Sequence, residues 1–205
     1  MWWKLLQEQT EKFRGGFLSH RDPSATIADT ATLKGEVSIG RNTVICPGAF
    51  IQGPVVIGDD CLIGNNTMIR GPLTVGNGSR IGYAAEIKGS IIGENVMIGP
   101  MCFVGDSVID GGAYLGAMVR TSNQRLDRKS VSVLHDGVRY DTGMEKLGCY
   151  IGAYASLGIQ VIILPGRMIA PGSLFGPRVT VEKNLPAGRY TLKQELSSSA
   201  LPVTT

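Results

Sequence analysis

The chain has 205 residues, a formal net charge of +3 and 28 glycines, and aromatic residues make up 6%. That length sets one domain with short appendages, and the scattered Lys and Arg present no nucleic-acid face, so no nucleic acid partner is expected. Few aromatics and many glycines exclude an aromatic-packed core and imply a chain that turns often.

Residues 1–26 open as MWWKLLQEQTEKF, with Trp2, Leu5, Leu6, Gln9 and Phe13 near one face of a short helix before Gly15 and Gly16 break it. This element reads as a cap over an open end of the next one, or as a docking element for a partner. No apolar run is long enough for a membrane span, and no small-residue cleavage site follows, so neither a span nor a signal peptide is expected. Cys46, Cys61, Cys102 and Cys149 show no CxxC spacing. A disulfide framework and a metal site are therefore not expected, and a reducing cytoplasm is the default location.

From residue 27 a six-residue clock takes over. Aliphatic residues stand at Ile27, Leu33, Ile39, Ile45, Ile51, Ile57, Ile63, Ile69, Val75, Ile81 and Ile87. The clock slips by one and resumes at Ile92, Ile98 and Val104, then slips again before Ile109 and Leu115. It returns as Ile151, Leu157, Ile163, Ile169, Phe175 and Val181. No helix has this period and a strand has a period of two, so the repeat predicts a β-solenoid of hexapeptides. Three short strands make a coil of about eighteen residues, which gives about seven coils over 27–183. Small residues four places after each aliphatic, such as Thr43, Ala49, Cys61 and Thr67, should also face the narrow interior.

Two segments leave the clock. Residues 121–146 form an insertion in which Ser130 to Tyr140 reads as a hairpin around Asp136-Gly137. Residues 184–205 read as one strand and a loose tail.

An eighteen-residue interval stacks Lys34, Gln52, Arg70 and Lys88 on one corner. Stacked like charges repel by about 1 kcal/mol in water at this spacing. The column is either a solvated basic edge or a site where an anion sits between Arg70 and Lys88, with Arg supplying a fork suited to phosphate.

Residues 86–99 (EIKGSIIGENVMIG), 104–129 and 141–166 resemble the C-terminal acetyltransferase domain of archaeal-type bifunctional glucosamine-1-phosphate acetyltransferase/sugar-1-phosphate nucleotidylyltransferases. The likeness spans roughly 65–183 and includes the inserted hairpin. It implies an all-β fold, a left-handed parallel β-helix, in a homotrimer. It implies that Arg70 and Lys88 bind the sugar phosphate, and that Asn123 and Lys129 reach the sugar phosphate or nucleotide sugar from a neighbouring subunit. Ala117, Ile159 and Lys183 fall at positions implied to contact acetyl-CoA.

The resemblance also exposes departures. The family's catalytic histidine is Pro100 here, its phosphate-binding tyrosine is Phe103, and an asparagine on the next coil is Tyr114. The remaining candidate bases are Glu86 and Asp106, which match acidic positions in the family strip, and His135 in the hairpin. Each also has an ordinary role open to it: structural hydrogen bonding for the acids, an exposed loop residue for His135. Cys102 reads as a core residue rather than a nucleophile. The related γ-class carbonic anhydrases need three histidine ligands, and this chain holds two histidines. The implied activity is acetyl transfer from acetyl-CoA to a sugar phosphate or nucleotide sugar, without a metal. The alternative is a degenerate homologue that binds sugar nucleotides or serves as a regulatory or assembly subunit.

Overall fold

The computed structural model describes residues 1–195, 197 and 198. After helix α1 (Trp2–Arg14), short parallel strands follow one another around a three-faced prism. The first face starts with Thr26–Ile27, the second with Thr32–Lys34 and the third with Val37–Ile39, and they carry nine, eight and seven strands. The solenoid therefore winds about nine coils along its longest face, more than the seven read from the clock. The extra turns lie where the aliphatic signal is absent: Arg21 bridges Ile39 at one end, and Arg189–Tyr190 pairs with Leu174–Phe175 at the other.

The clock residues form the core. Ile45, Ile51, Ile57, Ile63, Ile69, Ile81 and Ile87 are all buried, each contributing roughly 1.5–3 kcal/mol by leaving water. The small inward residues are buried too, and their hydroxyls have partners. Thr43, Thr67 and Ser79 each donate to the carbonyl of a corner glycine on the next coil, Gly58, Gly82 and Gly93 respectively.

The two slips in the clock are one-residue deletions on a single edge. Ile69 pairs with Ile87 eighteen residues on, whereas Ile87 pairs with Val104 seventeen residues on. The lost residue comes from the turn between the second and third faces. There Ser90 and Ser107 occupy the inward place that Val37, Val55 and Leu73 hold in earlier coils. Ser90 Oγ donates to the Lys88 carbonyl and accepts from Ser107 N at 3.1 Å. Ser107 Oγ repeats the pattern with the Gly105 carbonyl and Cys149 N. Two buried hydroxyls thus close the shortened turn and hold the backbone of Lys88 and Gly105. The long insertion leaves the solenoid at this same edge, between Arg120–Thr121 and Tyr150–Ile151.

The insertion carries the expected hairpin. Ser132–His135 pairs antiparallel with Val138–Asp141 across Asp136-Gly137, both at positive φ, as a tight primed turn requires. Helix α1 does not cap an end of the solenoid. It lies across the third face, where Trp2, Trp3 and Leu6 join Val108 and the hairpin residues Val131 and Val133 in a second apolar cluster. Gln9 fixes its position: its Nε2 donates to the carbonyls of Pro72 and Ser90, and its Oε1 accepts from Thr74. The outward residues Ile91, Val108, Tyr150 and Met168 make this face unusually apolar, and the helix covers it. Arg189–Tyr190 supplies the strand read near the C-terminus, with Tyr190 stacked on Phe175 at 4.9 Å. The end of the tail lies outside the described residues.

Candidate functional site

The edge between the second and third faces gathers charged side chains. Arg70 and Lys88 are register partners on adjacent strands, as the eighteen-residue interval required. Their mutual repulsion is offset within the chain rather than left for a ligand to relieve. Arg70 Nη2 donates to Glu86, and Lys88 Nζ lies 2.7 Å from Asp106 Oδ2. Asn123 Nδ2 donates to that same Asp106 oxygen. Two cations, two carboxylates and one amide form a formally neutral cluster. Arg70 Nε is sealed from solvent and has no partner.

Asp106 holds a left-handed backbone position, as twelve other non-glycine residues do among those described. The equivalent turn residues Gly35 and Gly89 have φ of 76° and 55°, and Asp106 keeps φ at 50° with a side chain attached. Asp tolerates this left-handed region better than most residues. The backbone thus aims a carboxylate at Lys88 where other coils have none.

The second face lies between this edge and the one it shares with the first face. Glu86 pairs in register with Phe103, and Phe103 with Arg120. Glu86, Phe103 and Arg120 line an open cleft of about 440 Å³ with Ala84, Met101 and Cys102. On the far side, Pro100, Ala117 and Ile159 stack on the first–second edge, since the Pro100 carbonyl accepts from Met118 N and the Ala117 carbonyl from Gln160 N. These three residues are therefore vertical neighbours. Glu86 stands between them and the charged edge.

Other candidates fall elsewhere. Lys183 follows Thr180–Val181 on the second face, which puts it on the charged edge and away from Ala117 and Ile159. Tyr114 belongs to the first face, in a cleft of about 330 Å³ with Ser156, Leu174, Phe175 and Arg189, and does not join Arg70 and Lys88. Lys129 is exposed on the inserted loop. His135 packs edge-on to Trp3 at 6.1 Å and lies 3.5 Å from Asp136. Cys102 is a core residue: its Sγ donates to the Gly116 carbonyl, and burial raises its pKa, which disfavours a thiolate.

Comparison with known proteins sets this geometry in context. A family model described as the GMPPB C-terminal domain matches residues 18–110. The uncharacterized acetyltransferase YaiX of Escherichia coli O6:K15:H31 is 51% identical over 205 aligned residues, which span 95% of this chain and 88% of that protein. The chain belongs to the hexapeptide-repeat acyltransferase family. The bifunctional protein GlmU of Methanococcus maripaludis (strain S2) is 40% identical over 172 residues, covering 84% of this chain and 42% of GlmU. A UDP-N-acetylglucosamine acyltransferase from Campylobacter jejuni aligns over 85% of this chain and 68% of its own at 18% identity, with a TM-score of 0.42.

Pro100 offers no proton acceptor, and Phe103 offers its ring instead of a hydroxyl. Sequence reasoning took Asp106 as a candidate base or structural hydrogen-bonding residue and missed it as the partner of Lys88, because the register partner of Lys88 in this shortened coil is Gly105 and Asp106 lies one residue further on. It also missed Arg120, which lies outside the basic column and enters only through the seventeen-residue coils.

Proposed function

We propose that this chain transfers an acyl group from a coenzyme A thioester to an amino or hydroxyl group of a sugar phosphate or nucleotide sugar, with acetyl-CoA as the donor. The observation that carries this reading is the placement of Glu86. It sits on the second face between the edge with Pro100, Ala117 and Ile159 and the edge with Arg70, Lys88, Asp106 and Asn123. Acyl donor and phosphate thus have separate edges, with a carboxylate in the cleft between.

In this reading Lys88 and the outer nitrogens of the Arg70 guanidinium face the acceptor's phosphate. Glu86, ion-paired with Arg70, takes the proton released as the acceptor attacks the thioester carbonyl. Asn123 and Asp106 fix the Lys88 ammonium. The acyl carbon–sulfur bond breaks and the new acyl bond forms to the sugar; the coenzyme leaves as the thiol. Coenzyme A supplies only the activated acyl group. A carboxylate that is ion-paired is a weaker base than a histidine, so the rate should be modest.

The active unit in this proposal is a homotrimer in the cytoplasm. Exposed Met97, Tyr114 and Leu174 on the first face supply apolar surface for packing, and Lys129 completes the site of a neighbour.

Pro100 favours a second reading, a non-catalytic sugar-phosphate binder. Incubation with acetyl-CoA and glucosamine 1-phosphate, followed by thiol release, separates the two. Release that depends on the phosphosugar supports transfer. No release, together with thermal stabilisation by the phosphosugar, supports the binder.

A further inference from the structure

A further cavity lies outside the cluster described above. It holds about 560 Å³ and is lined by the inserted loop (Gln124 to Asp127), the hairpin (Val131, Ser132, Arg139) and the turn Leu164, Pro165, Arg167. Its shape is fixed by a tight backbone approach. Gly166 (φ 74°) sits so close to the hairpin that a Cβ there would lie 2.6 Å from the Ser132 carbonyl oxygen.

Three guanidinium groups converge on this space: Arg125, Arg139 and Arg167. The single carboxylate in the lining, Asp127, is already held by Arg125 in a two-point pair, with Nε to Oδ1 at 2.8 Å and Nη2 to Oδ2 at 2.6 Å. Arg139 and Arg167 are left facing one another's charge. Arg167 is half-buried, and its Nε is sealed with no hydrogen-bond partner. Burial, and then the charges of Arg139 and Arg125, pull its pKa below the usual arginine value. An arginine in such a place costs stability unless something supplies negative charge. The rest of the lining (Leu126, Val131, Leu164, Pro165) is apolar.

We infer that this cavity is an anion site that takes the phosphate or diphosphate of an organic ligand, gripped by Arg139 and Arg167, with the organic body against Leu164 and Pro165. Forked guanidiniums match the paired oxygens of phosphate, and the two unpaired charges match a dianion. The volume exceeds what a bare ion fills and falls within the ~300–1,000 Å³ of small-molecule pockets.

Pyrophosphate binding, measured by calorimetry on the full chain at constant ionic strength, tests this. The expected result is saturable binding that weakens at least tenfold in Arg167→Gln and in Arg139→Gln and is unchanged in Arg70→Ala. Arg139 is exposed on the hairpin, so its variant reads the site even if Arg167→Gln misfolds. Absence of saturable binding overturns the inference. So does binding that survives Arg139→Gln and is lost in Arg70→Ala, which assigns the ion to the other cluster. Breakdown of the assembly in Arg167→Gln with pyrophosphate affinity intact also overturns it, and assigns the arginine to a carboxylate of a second copy. Failure of Arg70→Ala to weaken glucosamine 1-phosphate binding would sink the proposed acceptor site and leave this result standing.

Discussion

Lys88 and Asp106 face each other at 2.7 Å across one coil spacing, with both side chains 19% exposed. The pair falls between exposed pairs, worth under ~1 kcal/mol, and sealed pairs, whose disruption costs ~3–5 kcal/mol. Lys88→Ala leaves the Asp106 carboxylate half-buried with only Asn123 as partner. It should cost about 1–3 kcal/mol, or roughly 2–12 °C of melting temperature for a chain of this size. Arg70→Ala, with its pair about 40% exposed on both sides, should cost less. A thermal melt of both variants checks the order; equal losses would contradict the burial difference.

Glu86→Gln keeps the shape of the side chain and removes the proton acceptor. If the carboxylate serves the chemical step, kcat should fall by about 10²–10⁴ with KM little changed. The melting temperature should move little, since the Arg70–Glu86 pair is solvent-accessible. An unaltered kcat would remove Glu86 from the mechanism.

Coil-on-coil contact sets a third expectation. A Cβ on Gly93 would lie 2.6 Å from Gly111 N and 2.9 Å from the Asp110 carbonyl carbon. The ladder backbone has no room to give, so Gly93→Ala should destabilise by about 1–3 kcal/mol. Gly15, at the end of α1, has helical dihedrals, and a methyl group added there would meet nothing within 4 Å. Gly15→Ala should be neutral or slightly stabilising. Denaturant midpoints of the two variants make the comparison.

Tyr150 provides the pH signature. Burial first, and its hydrogen bond to Asp110 second, push its pKa up to about 12 from 10.0. A folded-state pKa above the unfolded one favours the folded state while the phenol is neutral. That contribution is complete below about pH 10 and is lost as pH rises through about 12. Tyr150→Phe should therefore flatten the stability curve between those limits. Identical alkaline melts for the two proteins would refute the assignment.

The prism was readable because its core repeats. An aliphatic every sixth residue has no other economical explanation, and the ladder pairs Ile45, Ile63, Ile81 and Ile98 as the interval requires. The hairpin was readable for a local reason: Asp136-Gly137 accepts the positive φ of its turn. The seat of α1 was not, because an amphipathic helix declares only that it needs an apolar surface. The third face declares its own through Ile91, Val108 and Tyr150, positions that the clock assigns to no role. At the site, stacking of Arg70 on Lys88 followed from spacing alone. Their neutralisation did not, because it depends on which way Glu86 and Asp106 point. The convergence of Arg139 on Arg167 joins a hairpin to a coil turn, and no sequence interval encodes that.

The seam closed by Ser90 and Ser107 has a further consequence. Chain was trimmed there twice and spliced in once, and the ladders of all three faces run through the changes without a break. Length is absorbed where it varies, so the remaining strands need no re-registration. The scaffold works as a ruler with one editable margin: an exchange of the segment from 124 to 146 for another protein's insert should change what the molecule recognises and leave the winding of its coils as it is.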